Sequence, residues 1–394
     1  MNAAGATPES RDTVFGELPK TSKMSSQGLL VTETNPQTDP RWESFVAGHP
    51  NASIYHHPLW LEALEREYGQ KGVYLNCVDA AGRVLAILPL LYTRGLPFNL
   101  GGALAGRRLS SLPRTPIAGP LSIDSRATVA VLQEAVRRVS EIPGARLQIK
   151  TEGPELDGLV EGMVCTPWRL TYLLRLPHPS KGPFRIPDGQ ARAKIKWAVR
   201  KASKSGVSVR PAQTEADLRQ WYGTYLETMR RNMLPPRPYR FFAALWQTLR
   251  PAGMMEVLVA EHGQDAKKKI IAGSVFLMFG RTVSYAFNGM RREYGSLRAN
   301  DAIQWQAING ACQKGFRLFD FGEVPERHDP LAKFKSKWGA QPTRLYRYVA
   351  PAPPAAKNAK VDSPHNMGSI LRVIWQYVPL KLTEWAGDQI YRRL

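Results

Sequence analysis

A helical stretch, Trp60–Leu61–Glu62–Ala63–Leu64, recurs as Phe241–Phe242–Ala243–Ala244–Leu245, 181 residues further along the chain. The same order of elements surrounds both copies: a helix, a strand, a turn or loop, and a nearly all-apolar strand. Such self-similarity means one supersecondary unit used twice, each copy burying its apolar face beside the other. In the first copy, Pro58 to Tyr68 sets Leu61, Leu64 and Tyr68 on one helical face. Val73 to Val78 and Val84 to Tyr92 then read as a hairpin around Asp79–Gly82. Thr128 to Ser140 is an amphipathic helix, followed by strands over Arg146–Lys150 and Thr171–Leu176. The second copy reads as helices over Thr214–Met229 and Tyr239–Arg250, with Thr214 and Asp217 as a capping pair. Strands follow over Met255–Glu261, Ile270–Phe279 and Thr282–Asn288, then a helix over Asn300–Lys314 and a strand over Phe316–Phe321. The fold class is α/β (α+β).

The flanks differ in composition. Residues 1–28 are rich in Ser, Thr, Ala, Gly and Pro and read as a disordered segment; residues 351–368 read as a linker. The tail 369–394 is apolar again, and Pro379 divides it into two short helices. Its Trp375, Tyr377, Trp385 and Tyr391, with Lys381, Arg392 and Arg393, either rest on an anionic membrane or dock onto the body of the protein. The N-terminus contains Glu9, Asp12 and Glu17 and lacks the apolar core of a secretory signal. No run reaches the length of a membrane span. The expected location is cytoplasmic, with peripheral contact at the inner face of the membrane through the tail.

With 54 Lys+Arg against 33 Asp+Glu, the net charge is +21, which favours anionic partners. Cys77, Cys165 and Cys312 form neither a disulfide framework nor a zinc site. Gly101 and Gly106 have P-loop spacing, but Arg107–Arg108 stands where Lys–Ser/Thr is needed. His56 and His57 are neighbours and cannot both face one metal, so no metal is expected.

Three segments carry candidate chemistry. Ala191 to Gly206 holds Arg192, Lys194, Lys196, Arg200, Lys201 and Lys204 and no acid. Wound as a helix, its cations gather on one face, either as a solvated surface or as a seat for an external anion. Arg291 to Asp301 is a basic, glycine-containing turn feeding a helix, where Asn300 or Ser296 would cap. Free N–H groups at such a helix start favour phosphate. Phe319 to Tyr348 places Asp320 between aromatics, then Glu323, then Lys333, Lys335 and Lys337 around Phe334 and Trp338. If that run is extended, the lysines share a face; if helical, Phe334 and Trp338 pair. A lysine held by aromatic packing stabilises a developing oxyanion.

Taken in order, Lys201–Ala202–Ser203–Lys204–Ser205–Gly206–Val207, Asn300 through Ile308, Gly315 through Gly322 and Phe334–Lys335–Ser336–Lys337–Trp338–Gly339 resemble the FemAB-like, or CelD/BioF-type, acyltransferases of the GNAT superfamily. The resemblance spans about Leu29 to Tyr348. It implies two tandem GNAT-like lobes, residues 29–176 and 177–350, each a mixed sheet flanked by helices. It also implies acyl transfer to an amine, with no permanently bound cofactor. The expected donor is acyl-CoA and the acceptor an amino sugar or a cell-envelope or exopolysaccharide precursor. The alternatives are aminoacyl-tRNA with a peptidoglycan precursor, or a non-catalytic binder of an anionic glycan, RNA or lipid. The family's Phe–Lys pair falls on Phe334 and Lys335. Its pyrophosphate turn falls on Arg292–Glu293–Tyr294–Gly295–Ser296–Leu297, with Leu297 where the pattern has Gly or Ala.

On this reading Lys335 stabilises the oxyanion or a donor phosphate, and Asp320 or Glu323 accepts the amine's proton. Arg292, Gly295, Ser296, Arg298 and Asn300 hold the donor's phosphates. Tyr285, Asn288, Phe334, Lys337, Trp338, Arg200 and Lys201 line the substrate path.

Overall fold

The computed structural model describes residues 28–95, 106–182, 184–186, 189–264, 268–325, 328–351 and 375–393. The segments read as disordered (1–28, except Gly28) and as linker (351–368, except Pro351) lie outside these residues, as does Gly101.

The first half runs β1 (Leu30–Glu33), α1 (Pro40–Gly48), α2 (Pro58–Tyr68), β2 (Val73–Val78), β3 (Val84–Thr93), β4 (Arg108–Ser110), β5 (Leu121–Ser122), α3 (Ser125–Ser140), β6 (Arg146–Thr151) and β7 (Val164–Arg175). The second half runs α4 (Gln190–Lys204), β8 (Ser208–Pro211), α5 (Glu215–Arg231), α6 (Tyr239–Thr248), β9 (Met255–His262), β10 (Lys269–Phe279), β11 (Thr282–Met290), α7 (Ala299–Gln313), β12 (Leu318–Val324), α8 (Asp329–Ser336) and β13 (Gln341–Ala350). A terminal helix, α9 (Leu380–Arg393), follows. The Thr214–Asp217 capping box forms at the start of α5. The elements α1, β1, β4, β5, β8 and β13 carry too short or too mixed a pattern to be read from sequence. Only the C-terminal part of β7 is legible.

The strands form one sheet in the order β1-β2-β3-β4-β6-β13-β7-β12-β11-β10-β9-β8, with β5 beside β3. The order is the same from either end, β1 matching β8 and β6 matching β12. Each half has one parallel pair, β4 with β6 and β11 with β12. The crossover that a parallel pair requires is made by α3 in one half and α7 in the other. The last strands are exchanged: β7 pairs with β12 of the second half, and β13 with β6 of the first. Two lobes therefore share their central strands.

A pseudo-twofold axis runs through the molecule, and contacts between equivalent residues locate it. Thr166 on β7 pairs with Arg347 on β13, 181 residues later, and its hydroxyl donates to the Arg347 carbonyl. On the helices, the Trp60 and Phe241 rings meet edge to face at 5.5 Å, and Arg66 donates to Gln247, again 181 residues apart. The repeat seen in the sequence is the contact between α2 and α6 across that axis.

Both sheet faces are covered, which is why most strands are continuously apolar. On β10, Val275 and Leu277 face the core under α1, α2, α5 and α6, while Phe276 and Met278 face the core under α4 and α7. The first of these cores joins the halves, with Trp60, Phe241, Phe242 and Trp221 at its centre. A buried ion pair, Glu67 with Arg237, crosses the same junction, and Arg237 also donates to the Arg114 carbonyl at 2.7 Å. Burial pushes the Glu67 carboxyl up to about 7 against the pull of Arg237.

The tail docks. Tyr391 and Thr383 on α9 are fully buried, Arg114 lies over the Tyr391 ring, and Arg240 pairs with Asp388. Tyr391 is thus not part of a membrane-facing set. Tyr377, Leu382 and Trp385 stay on the outside, 81%, 54% and 63% exposed. Among the described residues, no helix is long and apolar enough to cross a membrane.

Where β11 and β12 run parallel, only three residue pairs match, ending at Ser284 with Asp320. Beyond that point the strands part. β11 is bulged against β10, leaving Ala286 unmatched, and β12 is bulged against β7 around Phe321 and Gly322. Bulges bend and twist their strands, so the two open into a wedge. Gly322 has φ +75, the left-handed region that a Cβ disfavours.

Three outcomes are expected. Glu67→Ala, which strands the Arg237 charge, should cost about 3–5 kcal/mol in a urea melt. Arg237→Met should cost less, because the carboxyl left behind can take up a proton. Gly322→Ala should cost about 1–2 kcal/mol and lower transfer activity by displacing the carbonyl on which Lys335 rests.

Candidate functional site

Helix α8 closes one side of the wedge. The Phe334–Trp338 run is helical through Ser336, so the extended alternative with three aligned lysines does not occur. Lys335 alone turns inward, 3% exposed, and donates to the carbonyls of Gly322 at 2.7 Å and Glu323 at 3.0 Å. An ammonium has three N–H donors, so one remains for a substrate oxygen. Burial lowers the Lys335 amine to about 8, opposed by the charges of Asp320 and Glu323. Trp338 is fully buried against the core under α7 and anchors the end of α8. Lys337 pairs with Asp301 in the first turn of α7, and its ammonium lies 4.3 Å from the Phe334 ring centroid. Helices α7 and α8 are thereby tied across the wedge.

Asp320 stands on β12 at the last matched pair. One oxygen accepts from the Thr171 hydroxyl at 2.6 Å and from the Gly322 amide at 2.8 Å. Burial raises its carboxyl above the ordinary value, against these hydrogen bonds and Lys335. Glu323, the other carboxylate expected to take a proton, is held by Arg169 at 2.8 Å.

The first half contributes residues that the sequence did not single out. Tyr55 lies against Ser284, Asp320 and Glu323, its phenol raised by burial and by those charges. Glu152, just past β6, is raised by burial and by Asp320. Lys150 faces Glu323 and is lowered to about 8 by burial. None of these lies in a motif; Lys150 and Glu152 reach the site because β6, β13, β7 and β12 are adjacent, and Tyr55 comes from the turn between α1 and α2.

The wedge of the first half is filled by its own chain. After β4, Ser111 accepts from the Lys150 amide at 2.9 Å, and the Lys150 ammonium donates to the carbonyls of Leu112, at 3.1 Å, and Thr115. At Gly119 a Cβ would sit 2.7 Å from the Thr151 methyl, so the segment presses directly on β6. The gap between β4 and β6 is thereby closed by the chain's own residues 111–119.

The predicted phosphate turn forms a short 3-10 helix over Arg292–Leu297 beside the wedge. The expected side-chain cap is absent. The N-cap of α7 is Arg298 in the left-handed region (φ 63), and neither Ser296 nor Asn300 caps it. The Asn300 side-chain oxygen is buried without a protein partner. Arg292 and Ser296 are exposed and Gly295 is half-buried. Leu297 packs on the core under α7. Helix α4 packs along α7, so the basic helix and the turn converge: Lys201 and Arg298 lie 5.2 and 5.3 Å from the Trp197 ring centroid. Arg200 is exposed on the same helix.

Tyr285 and Asn288, expected in the acceptor cleft, are half-buried on β11. Tyr285 stacks on Phe276 at 5.7 Å, and Asn288 accepts from Ser274 at 3.1 Å.

A separate groove of about 800 Å³ lies at the start of β12, lined by Leu173, Arg175, Phe184, Leu318, Gln341 and others. It lies at the opposite end of β12 from Lys335. Among the described residues no cluster of His, Cys, Asp and Glu could hold a metal ion.

Comparison with known proteins agrees with this geometry. Residues 189–335 match the acetyltransferase (GNAT) domain family. The chain is 25% identical over 345 residues to the UDP-N-acetylmuramoylpentapeptide-lysine N(6)-alanyltransferase of Weissella viridescens, covering 80% of this chain and 94% of that one. In fold it resembles the crystal structure of FemX, with a TM-score of 0.60 at 15% identity over 80% of this chain and 96% of that one. It also resembles L-PGS from Bacillus licheniformis, with a TM-score of 0.52 at 12% identity over 89% and 97% of the respective chains. The chain is thus similar, along most of its length, to FemAB-like acyltransferases of the GNAT superfamily.

Proposed function

We propose that this protein transfers an aminoacyl group from aminoacyl-tRNA to the amine of a peptidoglycan precursor. The observation that carries the reading is Lys335, buried at the open wedge with two carbonyls satisfied and one N–H left over. Kinship with an alanyltransferase supports the aminoacyl donor over acyl-CoA, the donor first expected. Leu297 supports it too. A side chain stands where a Gly or Ala would let the backbone close on a pyrophosphate. A match to the acetyltransferase family keeps acyl-CoA as the second donor to test.

In the proposed reaction the acceptor amine attacks the ester carbonyl. A C–N bond forms and the carbonyl oxygen takes up negative charge, which the Lys335 ammonium stabilises. Asp320 accepts the proton that the amine gives up, a task to which its upward-shifted carboxyl is suited. The oxyanion then collapses, the C–O bond to the ribose breaks, and the leaving ribose oxygen takes the proton back from Asp320 to become a hydroxyl. Arg169 holds Glu323, and Tyr55 closes the site from the other half. The outward Tyr377, Leu382 and Trp385, beside Lys381, support contact with an anionic membrane surface, where envelope precursors are used.

Lys335→Ala should reduce transfer at least 100-fold with an unchanged melting temperature, read as product formed by the purified protein from charged tRNA or acyl-CoA. Undiminished transfer would remove the residue from the mechanism. The pH profile should be bell-shaped. Lys335 loses its charge as pH rises through about 8, so activity falls there; Asp320 gains a proton on the acid side, at a pH above the ordinary carboxylate value. Lys335→Arg should move the alkaline limb upward. Liposome co-sedimentation on anionic vesicles should fall several-fold in a Tyr377→Ser, Trp385→Glu double variant; equal pelleting would end the membrane reading.

A further inference from the structure

Helix α4 carries a large aromatic where its surface is otherwise cationic. Trp197 is 52% exposed, while Ile195, Ala198 and Ala202 on the same helix are buried. A partly buried indole on a solvated face would be ordinary. This one is bracketed by cations from two different elements, Lys201 one turn along α4 and Arg298 from the start of α7. Arg298 reaches it from a left-handed backbone that arginine disfavours, with φ 63 and ψ 29. Strain of this kind persists where the surroundings impose it, and it clusters at ligand clamps. No acid lies between Ala191 and Gly206, so the helix supplies no counter-charge to the exposed Lys194, Lys196, Arg200 and Lys204. The platform also adjoins the wedge. Asp301, three residues after Arg298, is the residue that Lys337 of α8 grips.

An exposed aromatic face flanked by fixed cations recognises one chemistry: a planar base joined to phosphates. Stacking on the ring is tolerant of base identity, and the cations take the backbone charge. We propose that Trp197, Lys201 and Arg298 form a nucleobase-stacking platform that holds the nucleotide end of the acyl donor beside the wedge. The proposal deepens the donor reading above and rests on it for the donor's identity. The same chemistry is present in the single-stranded CCA end of a tRNA and in the 3′-phosphoadenosine of coenzyme A.

The test is binding of two probes to the full chain, a fluorescent ACCA ribotetranucleotide and coenzyme A, each by competition at fixed salt. Trp197 is on the surface, so its substitution should leave the melting temperature unchanged. Trp197→Ala should weaken at least one probe roughly ten-fold, with Trp197→Phe restoring most of the affinity and Arg298→Ala causing a loss of its own. Loss confined to the tetranucleotide assigns the platform to tRNA; loss confined to coenzyme A assigns it to an acyl-CoA. Equal affinities of wild type and Trp197→Ala for both probes, or no binding of either probe by the wild type, would overturn the proposal. Neither measurement needs turnover. A protein that binds through Trp197 but transfers nothing would sink the proposed reaction and leave the platform standing, while transfer with a donor KM indifferent to Trp197 would do the reverse.

Discussion

The exchange of β7 and β13 is the constraint on which the rest depends. Each half ends in a strand that hydrogen-bonds to the other half's parallel pair. Neither half can complete its own sheet, so the two are bound into one body with a common aromatic core. The pairing of Thr166 with Arg347 and the contact of Trp60 with Phe241 are the same symmetry axis seen in the sheet and in the helix layer. The exchange also brings Thr171 of β7 onto Asp320 and Arg169 onto Glu323. The candidate site is therefore assembled by the same strands that join the halves.

Duplication gives two wedges, and chemistry needs them to differ. In the first, residues 111–119 fold back over β6 and take the Lys150 ammonium onto their own carbonyls. In the second, bulges at Ala286 and Gly322 spread the strands, and α8 brings Lys335 to the opening. Both buried lysines sit on pairs of backbone carbonyls and both are lowered to about 8 by burial. One cation braces the segment that fills the first wedge; the other is carried to the second wedge by α8.

Electrostatics at the site follows from depth. Asp320 keeps a raised carboxyl despite two hydrogen bonds and a nearby ammonium, because desolvation outweighs them. The same desolvation lowers Lys335. The carboxyl and the amine are thus moved toward each other's range, as the acid–base roles proposed for them require. Glu323 sits as close to Lys335 through its backbone but is committed to Arg169.

Much of this was legible in the residues. Periodicity predicts Pro58–Tyr68 as a helix and Val73–Val78 as a strand, because each carries its full apolar pattern locally. The two-copy plan shows in the α2 and α6 segments because the axis makes those faces pack on each other, so both must be apolar in the same places. Phe334–Lys335 and Asp320 stand out as types, lysine among aromatics and acid in a strand. The sequence could not show the strand exchange, since β13 and the first half of β7 are central strands with mixed, partly polar patterns. Nor could it show that Tyr285 stacks on Phe276, that Tyr55 and Glu152 approach Asp320, or that Trp197 meets Arg298. The sequence by itself determined the duplicated α/β unit and its basic, phosphate-seeking character, because burial pattern and charge are carried residue by residue. Only the tertiary structure decided which wedge is filled by its own chain and that Lys335 and Asp320 meet beside the other, because both depend on strands that meet from opposite ends of the chain.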